Sequence, residues 1–485
     1  MKKHSLLKLL LLIILIIMIA SWFIPVTTVV DGEFVEVPDS GIGLFNISSY
    51  FANSIELFSN VILFVLAVGG FYGVLHKIPQ YRVLLDKIVD GFDGREWIFM
   101  VVVGVIFALL SSMAGISIPL LFMFPFVISV ILLMGYDKIT AALLTVGSVI
   151  SGLIGTVFSN AGLVGSGFTY ASLTEIPNIF EQFGFSNASY GANENIGFKI
   201  ALLVLCLAIV LINTILYAKK HQDKKHLVKG YFVPEEVSVK EEKKIMPIAI
   251  IFDATLLIIT LSFISWNLFG ITFFEDITKN LVYPRGGNFI NGFYGAINTV
   301  LGVSVDNAFG SWNLVQISFV IVFASWLISV IYKKTFSSYL DSFIEGIKKA
   351  FMPALLICIS FIILIMAAES PMQITLLKGI LSLDEVSVIP MSLVALLFSL
   401  FIIDPFLGIA QAVSYVGEVV TASTLGLTAL IWQAMYGLAM FISPVSVILL
   451  ATLSYLEIPY FKWFKSIWKI LLEFMFVIFI ILFIF

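Results

Sequence analysis

The sequence predicts an all-α polytopic membrane protein made of about 11 to 13 apolar helices or helical hairpins, arranged in two inverted repeats with broken helices near the bilayer midplane. Of its 485 residues, 60% are hydrophobic and 12% are charged, whereas soluble domains run at about 45–50% apolar and about 25% charged. The mean hydropathy is +1.08. A soluble core could not bury this much apolar surface, so lipid must be the solvent.

The first apolar stretch follows two lysines and also fits a secretory signal. It runs from Leu6 to Ile24, which is long enough to span a hydrocarbon core of about 30 Å, and no small-residue cleavage pattern follows it. We therefore expect a first transmembrane helix, with Trp22 in the interfacial belt.

Similar stretches recur to the end of the chain. Helices are expected there because a backbone in hydrocarbon must satisfy its own hydrogen bonds, and because no strand alternation is visible. The expected segments are 5–25, 54–75, 97–113, 116–134, 138–158, 199–217, 247–269, 313–332, 350–368, 386–404, 427–450 and 463–485.

Basic residues are distributed unevenly between these segments. Residues 26–52 and 159–198 contain no Lys or Arg. By contrast, 77–96 contains both Lys and Arg, and 219–244 and 333–350 are rich in Lys. Positively charged loops stay on the cytoplasmic side. We therefore expect a multi-pass protein of a bacterial plasma membrane, with a cytoplasmic N-terminus and with 159–198 outside.

The longest polar stretch divides the chain into two halves. We expect a first transmembrane repeat at 1–217, a cytoplasmic linker at 218–246 and a second repeat at 247–485. Similar triplets of apolar segments run in opposite senses in the two halves, as in many secondary transporters that bind solute where the repeats meet.

In the first half, small polar residues interrupt an apolar segment among several glycines. Hydroxyl and amide groups can coordinate a carboxylate or a cation without a buried permanent charge, and glycine allows a helix to unwind. Packing of small residues between helices is the alternative. The candidate binding residues are Ser148, Ser151, Thr156, Ser159 and Asn160.

In the second half, 402–424 is too polar for a lipid-facing span and fits a re-entrant hairpin. The next segment is interrupted at Ser443-Pro444, where freed backbone groups must meet a ligand, an ion or a neighbouring helix; a simple proline kink is the alternative. The candidates are Gln411, Ser414, Gln433, Ser443 and Ser446, with Asp404 and Glu418 as possible intramembrane charges unless Glu418 is merely solvated.

Several motifs resemble those of the YfcC-like carriers, in the anaerobic dicarboxylate-carrier (DcuC-type) group of the ion transporter superfamily. They are "SWFIP" at 21–25, "VGGFYGVLHK" at 68–77, "GREW" at 94–97, "MGYDKITAALLTVGS" at 134–148, "FMPALLI" at 351–357 and "FISPVSVILLATLSYLEIPYFKWFK" at 441–465. The resemblance implies a dimeric secondary transporter with inverted repeats and helical hairpins. Its solutes would be dicarboxylates or amino acids, including arginine exchanged for ornithine in some members.

The sequence departs from this family where acidic or polar groups are expected. An acidic pair is replaced by Ser117-Ile118 before Pro119, and a Gly-Asp-Gly-x-Ser-Asn run becomes 435–440, "MYGLAM". A Thr-x-Asn-Pro turn becomes part of 156–161, "TVFSNA". These losses disfavour cationic solutes and favour a neutral or anionic one.

The function predicted is secondary active transport of an amino acid or dicarboxylate by alternating access, coupled to Na⁺ or H⁺ or to no ion. An arginine/ornithine-type antiporter is the alternative within the class; a membrane-embedded enzyme and a passive channel are alternatives outside it. We expect a small-molecule solute, a lipid bilayer and, from the resemblance, a homodimer. No catalytic residue, cofactor, metal site or nucleic-acid partner is expected, and Cys206 and Cys358 fit buried apolar positions.

Overall fold

The computed structural model describes residues 5–30, 33–37, 41–114, 117–157, 195–223, 233–234, 245–264, 266, 270–283, 308–310, 312–380, 385–416, 419–421 and 423–485. Helices dominate these segments. They are α1 (Ser5–Ala20), α2 (Leu44–His76), α3 (Pro79–Gly91), α4 (Glu96–Ala114), α5 (Phe124–Leu133), α6 (Lys138–Ile154), α7 (Ile196–His221), α8 (Met246–Phe263), α9 (Phe273–Val282), α10 (Leu314–Ile331), α11 (Phe336–Glu369), α12 (Met372–Ile380), α13 (Val388–Phe401), α14 (Pro405–Val416), α15 (Leu425–Ile442), α16 (Val447–Tyr455) and α17 (Tyr460–Ile484), with a 3₁₀ helix at Pro119–Phe122.

This architecture confirms the all-α polytopic prediction. Within the described ranges, eight helices or broken helix pairs are long and apolar enough to cross a membrane, and α1, α5, α6 and α13 are shorter apolar helices. Together they coincide with the apolar stretches expected from the sequence. The protein is a multi-pass membrane protein.

One element was not expected from the sequence. Strands β1 (Val26–Val30) and β2 (Glu33–Val37) form an antiparallel hairpin in which Val26 pairs with Val37. The hairpin follows α1, and the Thr27 hydroxyl lies 2.6 Å from the hydroxyl of Thr375 on α12. Its short strands lie between the apolar stretches, so a prediction made from spanning segments alone did not include them.

The two longest helices, α2 and α11, cross at glycines. A Cβ atom placed on Gly346 would overlap the Gly69 carbonyl oxygen and lie 2.8 Å from the Cα of Gly73. The contact continues along both helices, because the Phe58 and Phe361 rings stack with centroids 4.1 Å apart. Glycine at the crossing lets the backbones approach closely, which is how helices gain van der Waals contact in lipid.

Most of the basic segments meet at one end of the helical bundle. Lys77 Nζ lies 2.9 Å from a Glu345 carboxylate oxygen, Arg82 donates to the Pro234 carbonyl over 2.8 Å, and the Asp223 amide donates to the Gly135 carbonyl over 2.8 Å. We call this the basic end. It groups the segments that charge alone assigned to the cytoplasm: 77–95, 219–223, 233–234 and 333–349.

Contacts at the opposite end join the segments between the other helix termini. Trp22 Nε1 donates to the Ile42 carbonyl over 2.9 Å, and the Asn53 amide donates to Glu369 over 3.2 Å. The rings of Phe198 and Phe485 lie 5.1 Å apart, so the start of α7 is also at this end. The basic segments and the segments without Lys or Arg therefore lie at opposite ends of the helical bundle, as the charge pattern predicts. The assignment of the basic end to the cytoplasm stays a prediction.

The two halves of the chain pack closely against each other. Helix α2 contacts α10 and α11, α6 contacts α15 and α16, and α7 contacts α17. The boundaries of the halves and the inverted symmetry between them stay predictions.

Substitution of Gly346 by alanine should destabilise the fold, because the added methyl group would overlap the Gly69 carbonyl. Overpacking of this kind typically costs about 1–3 kcal/mol. The matched control is Gly197→Ala on α7, where no atom lies within 4 Å of the added Cβ. Thermal unfolding in one detergent should show a lower midpoint for Gly346→Ala alone; equal midpoints would show that the crossing tolerates a side chain.

Sidedness can be tested by thiol labelling after Cys206 and Cys358 are replaced. Glu36 on β2 and Lys334 between α10 and α11 are both exposed. An impermeant maleimide added outside cells should label Glu36→Cys, and Lys334→Cys should be labelled only in inverted vesicles. Labelling of both variants from the same side would contradict the topology.

Candidate functional site

Among the described residues, four interruptions of helical structure bear on the candidate residues. The first interruption precedes Pro119, the second follows Ile154, the third is at 402–404 between α13 and α14, and the fourth is at 443–446 between α15 and α16. Three of them have a local cause in the sequence. Pro119, Pro405 and Pro444 each lack a backbone donor, which disfavours continuation of an α-helix that precedes the proline.

The end of α6 is closed by side chains from two other helices. The Ser112 hydroxyl on α4 donates to the Gly155 carbonyl over 2.6 Å, and Gln433 Nε2 on α15 donates to the Ile154 carbonyl over 2.9 Å. Gly437 lets α15 approach this point, because a Cβ there would lie 2.6 Å from the Ile154 amide nitrogen. The break in the first half is therefore held by a helix of the second half.

The breaks in the second half are closed in the same way. The Ser443 hydroxyl donates to the Leu400 carbonyl over 2.7 Å, and the Tyr436 hydroxyl donates to the Ile403 carbonyl over 3.1 Å. These two bonds satisfy carbonyls at the end of α13 and in the 402–404 turn.

Two side chains of helix α17 cap the carbonyl end of α15. Trp463 Nε1 donates to the Phe441 carbonyl over 3.3 Å, and the Tyr460 hydroxyl donates to the Ile442 carbonyl. The sequence predicted that a ligand, an ion or a neighbouring helix must meet these freed groups, and a neighbouring helix meets both.

The start of α16 differs from these capped ends. Ser446 occupies the N-cap position, but its side chain makes no capping hydrogen bond. Its Oγ is buried and has no hydrogen-bond partner among the described residues, with only 1% of the residue exposed. The first N–H groups of an α-helix also have no acceptor within the helix. A cluster of donors is therefore available here.

A small cavity lies at this point and joins parts of both halves. Its lining residues are Ser117, Ile118, Ile403, Tyr436, Met440, Ser446, Val447 and Ile448. Three of the four interruptions contribute: the residues before Pro119, the 402–404 turn and the start of α16. The cavity volume is about 20 Å³, which is room for one water molecule.

The 402–404 turn ends in a buried acidic residue. Asp404 follows the lining residue Ile403 and is only 7% exposed. Its Oδ1 accepts the Leu407 amide over 2.9 Å at the start of α14, where the helix dipole favours a negative charge. The carboxylate thus caps the start of α14.

Three of the first-half candidates lie on or just after α6 and are fully buried. The Ser151 hydroxyl donates to the Gly147 carbonyl over 2.9 Å, and that of Thr156 donates to the Leu153 carbonyl over 2.8 Å. Ser148 faces Gly104 on α4, and its buried hydroxyl has no hydrogen-bond partner among the described residues. These contacts favour the packing alternative for all three. Ser159 and Asn160 lie outside the described residues.

Among the second-half candidates, some side chains cap helix ends and one lines the cavity. Gln433 and Ser443 close helix ends, and Gln411 donates to the Ala368 carbonyl. Ser414 lies on α14, and Glu418 lies outside the described residues. Of the candidates that the structure describes, Ser446 lines the cavity.

Sequence reasoning did not select several lining residues as binding groups. Ser117 lies two residues before Pro119, and that proline is a sequence signal for a helix break. Tyr436 and Met440 lie in an apolar helix that carries no such signal. The described lining contains no Lys, Arg or His. In the described part of the chain, no three His, Cys, Asp or Glu side chains form a group that could hold a metal ion.

Comparisons with known proteins place these features in a family context. A model of the DcuC C4-dicarboxylate anaerobic carrier family matches residues 185–485. An uncharacterized protein of Haemophilus influenzae is 25% identical over 193 residues, which cover 39% of this chain and 34% of that protein. The chain thus spans about a third of the length of this curated relative.

Two solved structures are also similar. The crystal structure of the Alcanivorax borkumensis YdaH transporter shares 13% identity, with 99% of this chain and 98% of that chain covered and a TM-score of 0.42. The structure of Neisseria gonorrhoeae MtrF, from a class of antimetabolite efflux pumps, shares 11% identity, with 99% and 95% covered and a TM-score of 0.35.

Proposed function

Because this chain belongs to the C4-dicarboxylate anaerobic carrier family, whose model matches more than half of it, we propose that it is a secondary active transporter. Its solute is a small organic molecule that carries a carboxylate, either an amino acid or a dicarboxylate. The solute crosses a bacterial plasma membrane by alternating access. The family and the multi-pass helical architecture support the transporter class, and the site supports the chemistry of the solute.

The observation that carries this proposal is the uncapped start of α16. Ser446 Oγ is buried and has no hydrogen-bond partner in the described part of the chain, and the N–H groups of Val447 and Ile448 belong to residues that line the same cavity. Helix N-termini bind carboxylates through such N–H groups and through the helix dipole. A broken helix whose N-terminus opens into a cavity is also how many transporters hold an anionic solute.

The meeting of breaks from both halves supports alternating access. The cavity is bounded by Ile118 before the 3₁₀ helix, by Ile403 in the 402–404 turn and by Ile448 at the start of α16. With room for one water molecule, it must widen before a solute enters. We infer that these interruptions separate toward one membrane surface at a time, while the glycine crossing of α2 and α11 stays fixed.

The lining disfavours the exchange of arginine for ornithine. A guanidinium group taken into a low-dielectric site needs carboxylate partners, and no Asp or Glu is among the described residues that line the cavity. One of the two predicted acids, Glu418, lies outside the described residues. We propose a neutral or anionic solute. Coupling to Na⁺ or H⁺ and assembly as a homodimer are further parts of this proposal.

Replacement of Ser446 by alanine should weaken transport. Hydrogen bonds to charged groups are worth about 1.5–3 kcal/mol, so the KM for the transported carboxylate should rise about 10- to 150-fold. The measurement is initial uptake of radiolabelled amino acids and dicarboxylates into proteoliposomes, at matched amounts of inserted protein.

The matched control is Thr452→Val on the same helix. Thr452 is also buried, but its hydroxyl donates to the Ile448 carbonyl of α16 over 2.8 Å. This variant should keep the KM of the parent protein. If Ser446→Ala transports with an unchanged KM, the start of α16 does not bind the solute carboxylate.

A further inference from the structure

We propose that α9 is an interfacial helix. It lies along the membrane surface at the end of the bundle opposite the basic end, with one apolar edge in the boundary between lipid headgroups and acyl chains. A lipid surface is thus the partner of a helix that does not itself span the membrane. This role is independent of which solute the protein transports.

Helix α9 is too short and too polar to cross a bilayer. Its 10 residues, Phe273–Val282, extend about 15 Å at about 1.5 Å per residue, whereas the hydrocarbon core is about 30 Å thick. Three of the side chains, Glu275, Asp276 and Lys279, are charged. A helix of this kind belongs at the membrane surface or in water.

Aromatic contacts hold α9 against the residues that join it to two spanning helices. The Phe274 ring centroid lies 5.0 Å from that of Trp266, which follows α8, and 5.6 Å from that of Phe309, which precedes α10. The Trp266 carbonyl also accepts the Ile271 amide over 3.1 Å. Helix α9 is therefore fixed to the end of α8 and the start of α10.

These helix ends lie at the membrane boundary opposite the basic end. Helix α10 runs from Leu314 toward the basic segment 333–349, and α8 and α10 are both long and apolar enough to span. The Gly310 amide donates to the Ser262 carbonyl in the last turn of α8 over 2.9 Å, so the end of α8 and the start of α10 lie side by side. Helix α9 thus lies where the two spanning helices leave the hydrocarbon.

The surface of α9 has a buried face, an exposed apolar edge and a polar side. Thr278 is 6% exposed and lies on the face that packs against the protein. Phe273 and Ile277, four residues apart and so on one stripe of the helix, are 61% and 43% exposed. Glu275 and Lys279 form an ion pair on the opposite side from this stripe. One edge therefore suits lipid and the other suits water.

Lipid is the partner that this arrangement fits. The adjacent spans also expose large apolar side chains, since Leu257 on α8 is 57% and Phe319 on α10 is 72% exposed. Tyr283, just after α9, is 66% exposed, and tyrosine is enriched where membrane meets water. Lys279 is already paired with Glu275. The attraction therefore comes from burial of apolar surface rather than from anionic headgroups.

Collisions of nitroxide spin labels with oxygen and with a nickel chelate test this placement, because oxygen concentrates in the bilayer and the chelate stays in water. The full chain, with Cys206 and Cys358 replaced, is labelled in proteoliposomes at Ile277→Cys. The matched control is Lys279→Cys on the opposite side of the same helix, where loss of an exposed ion pair costs little stability. Oxygen should collide more than nickel with the first label, and nickel more than oxygen with the second.

Two further labels calibrate the scale. Phe319→Cys, on the exposed surface of α10, gives the value for hydrocarbon, and Lys334→Cys, an exposed position at the basic end, gives the value for water. The label at Ile277→Cys should lie between these two values and on the hydrocarbon side of Lys279→Cys.

Three results would overturn the inference. Low collision rates with both reagents at Ile277→Cys, in a variant that unfolds at the same temperature as the parent, would show that another part of the chain or a second copy covers this edge. A preference for nickel at both positions would place α9 in water, and a preference for oxygen at both would place it within the hydrocarbon. Each of these results leaves the proposed transport function unaffected, because no solute is present in the measurement.

Discussion

A backbone inside a hydrocarbon layer must have its hydrogen-bonding groups satisfied within the protein, and the structure depends on how this constraint is met at the helix breaks. Side chains from other helices satisfy the freed carbonyls: Ser112 and Gln433 at the end of α6, and Ser443 at the end of α13. The start of α16 is not capped in this way and opens into the cavity. A solute that supplies an acceptor there would complete the pattern.

The same constraint suggests which parts move. The glycine crossing of α2 and α11 brings the two backbones into contact, and such tight packing leaves little freedom. The interruptions, by contrast, are joined to their neighbours by one or two side-chain hydrogen bonds each, such as that of Tyr436 with the Ile403 carbonyl. Each bond is individually modest in energy. We infer that a rigid pair of helices supports a site whose walls can separate.

Much of the fold could be predicted from the sequence, but little of the site. Long apolar stretches and prolines such as Pro444 are local signals, and they located the spanning helices and the break at 443–446. The hydroxyls of Ser151 and Thr156 looked like ligands, yet each bonds its own helix, and no spacing distinguishes the two roles. Tyr436 and Met440 line the cavity only because α15 packs near the 402–404 turn, which is a tertiary relationship that the sequence does not display.

The central claim is that this cavity is the solute site and opens to each side of the membrane in turn. It is tested most directly by Met440→Cys, a change at a lining residue that is 4% exposed, after Cys206 and Cys358 are replaced. Reaction with an impermeant thiol reagent is measured in right-side-out and in inverted vesicles, with and without the transported solute. The account predicts reaction from both sides, slowed by the solute in each case. Reaction from one side only, at a rate that the solute does not change, would contradict it.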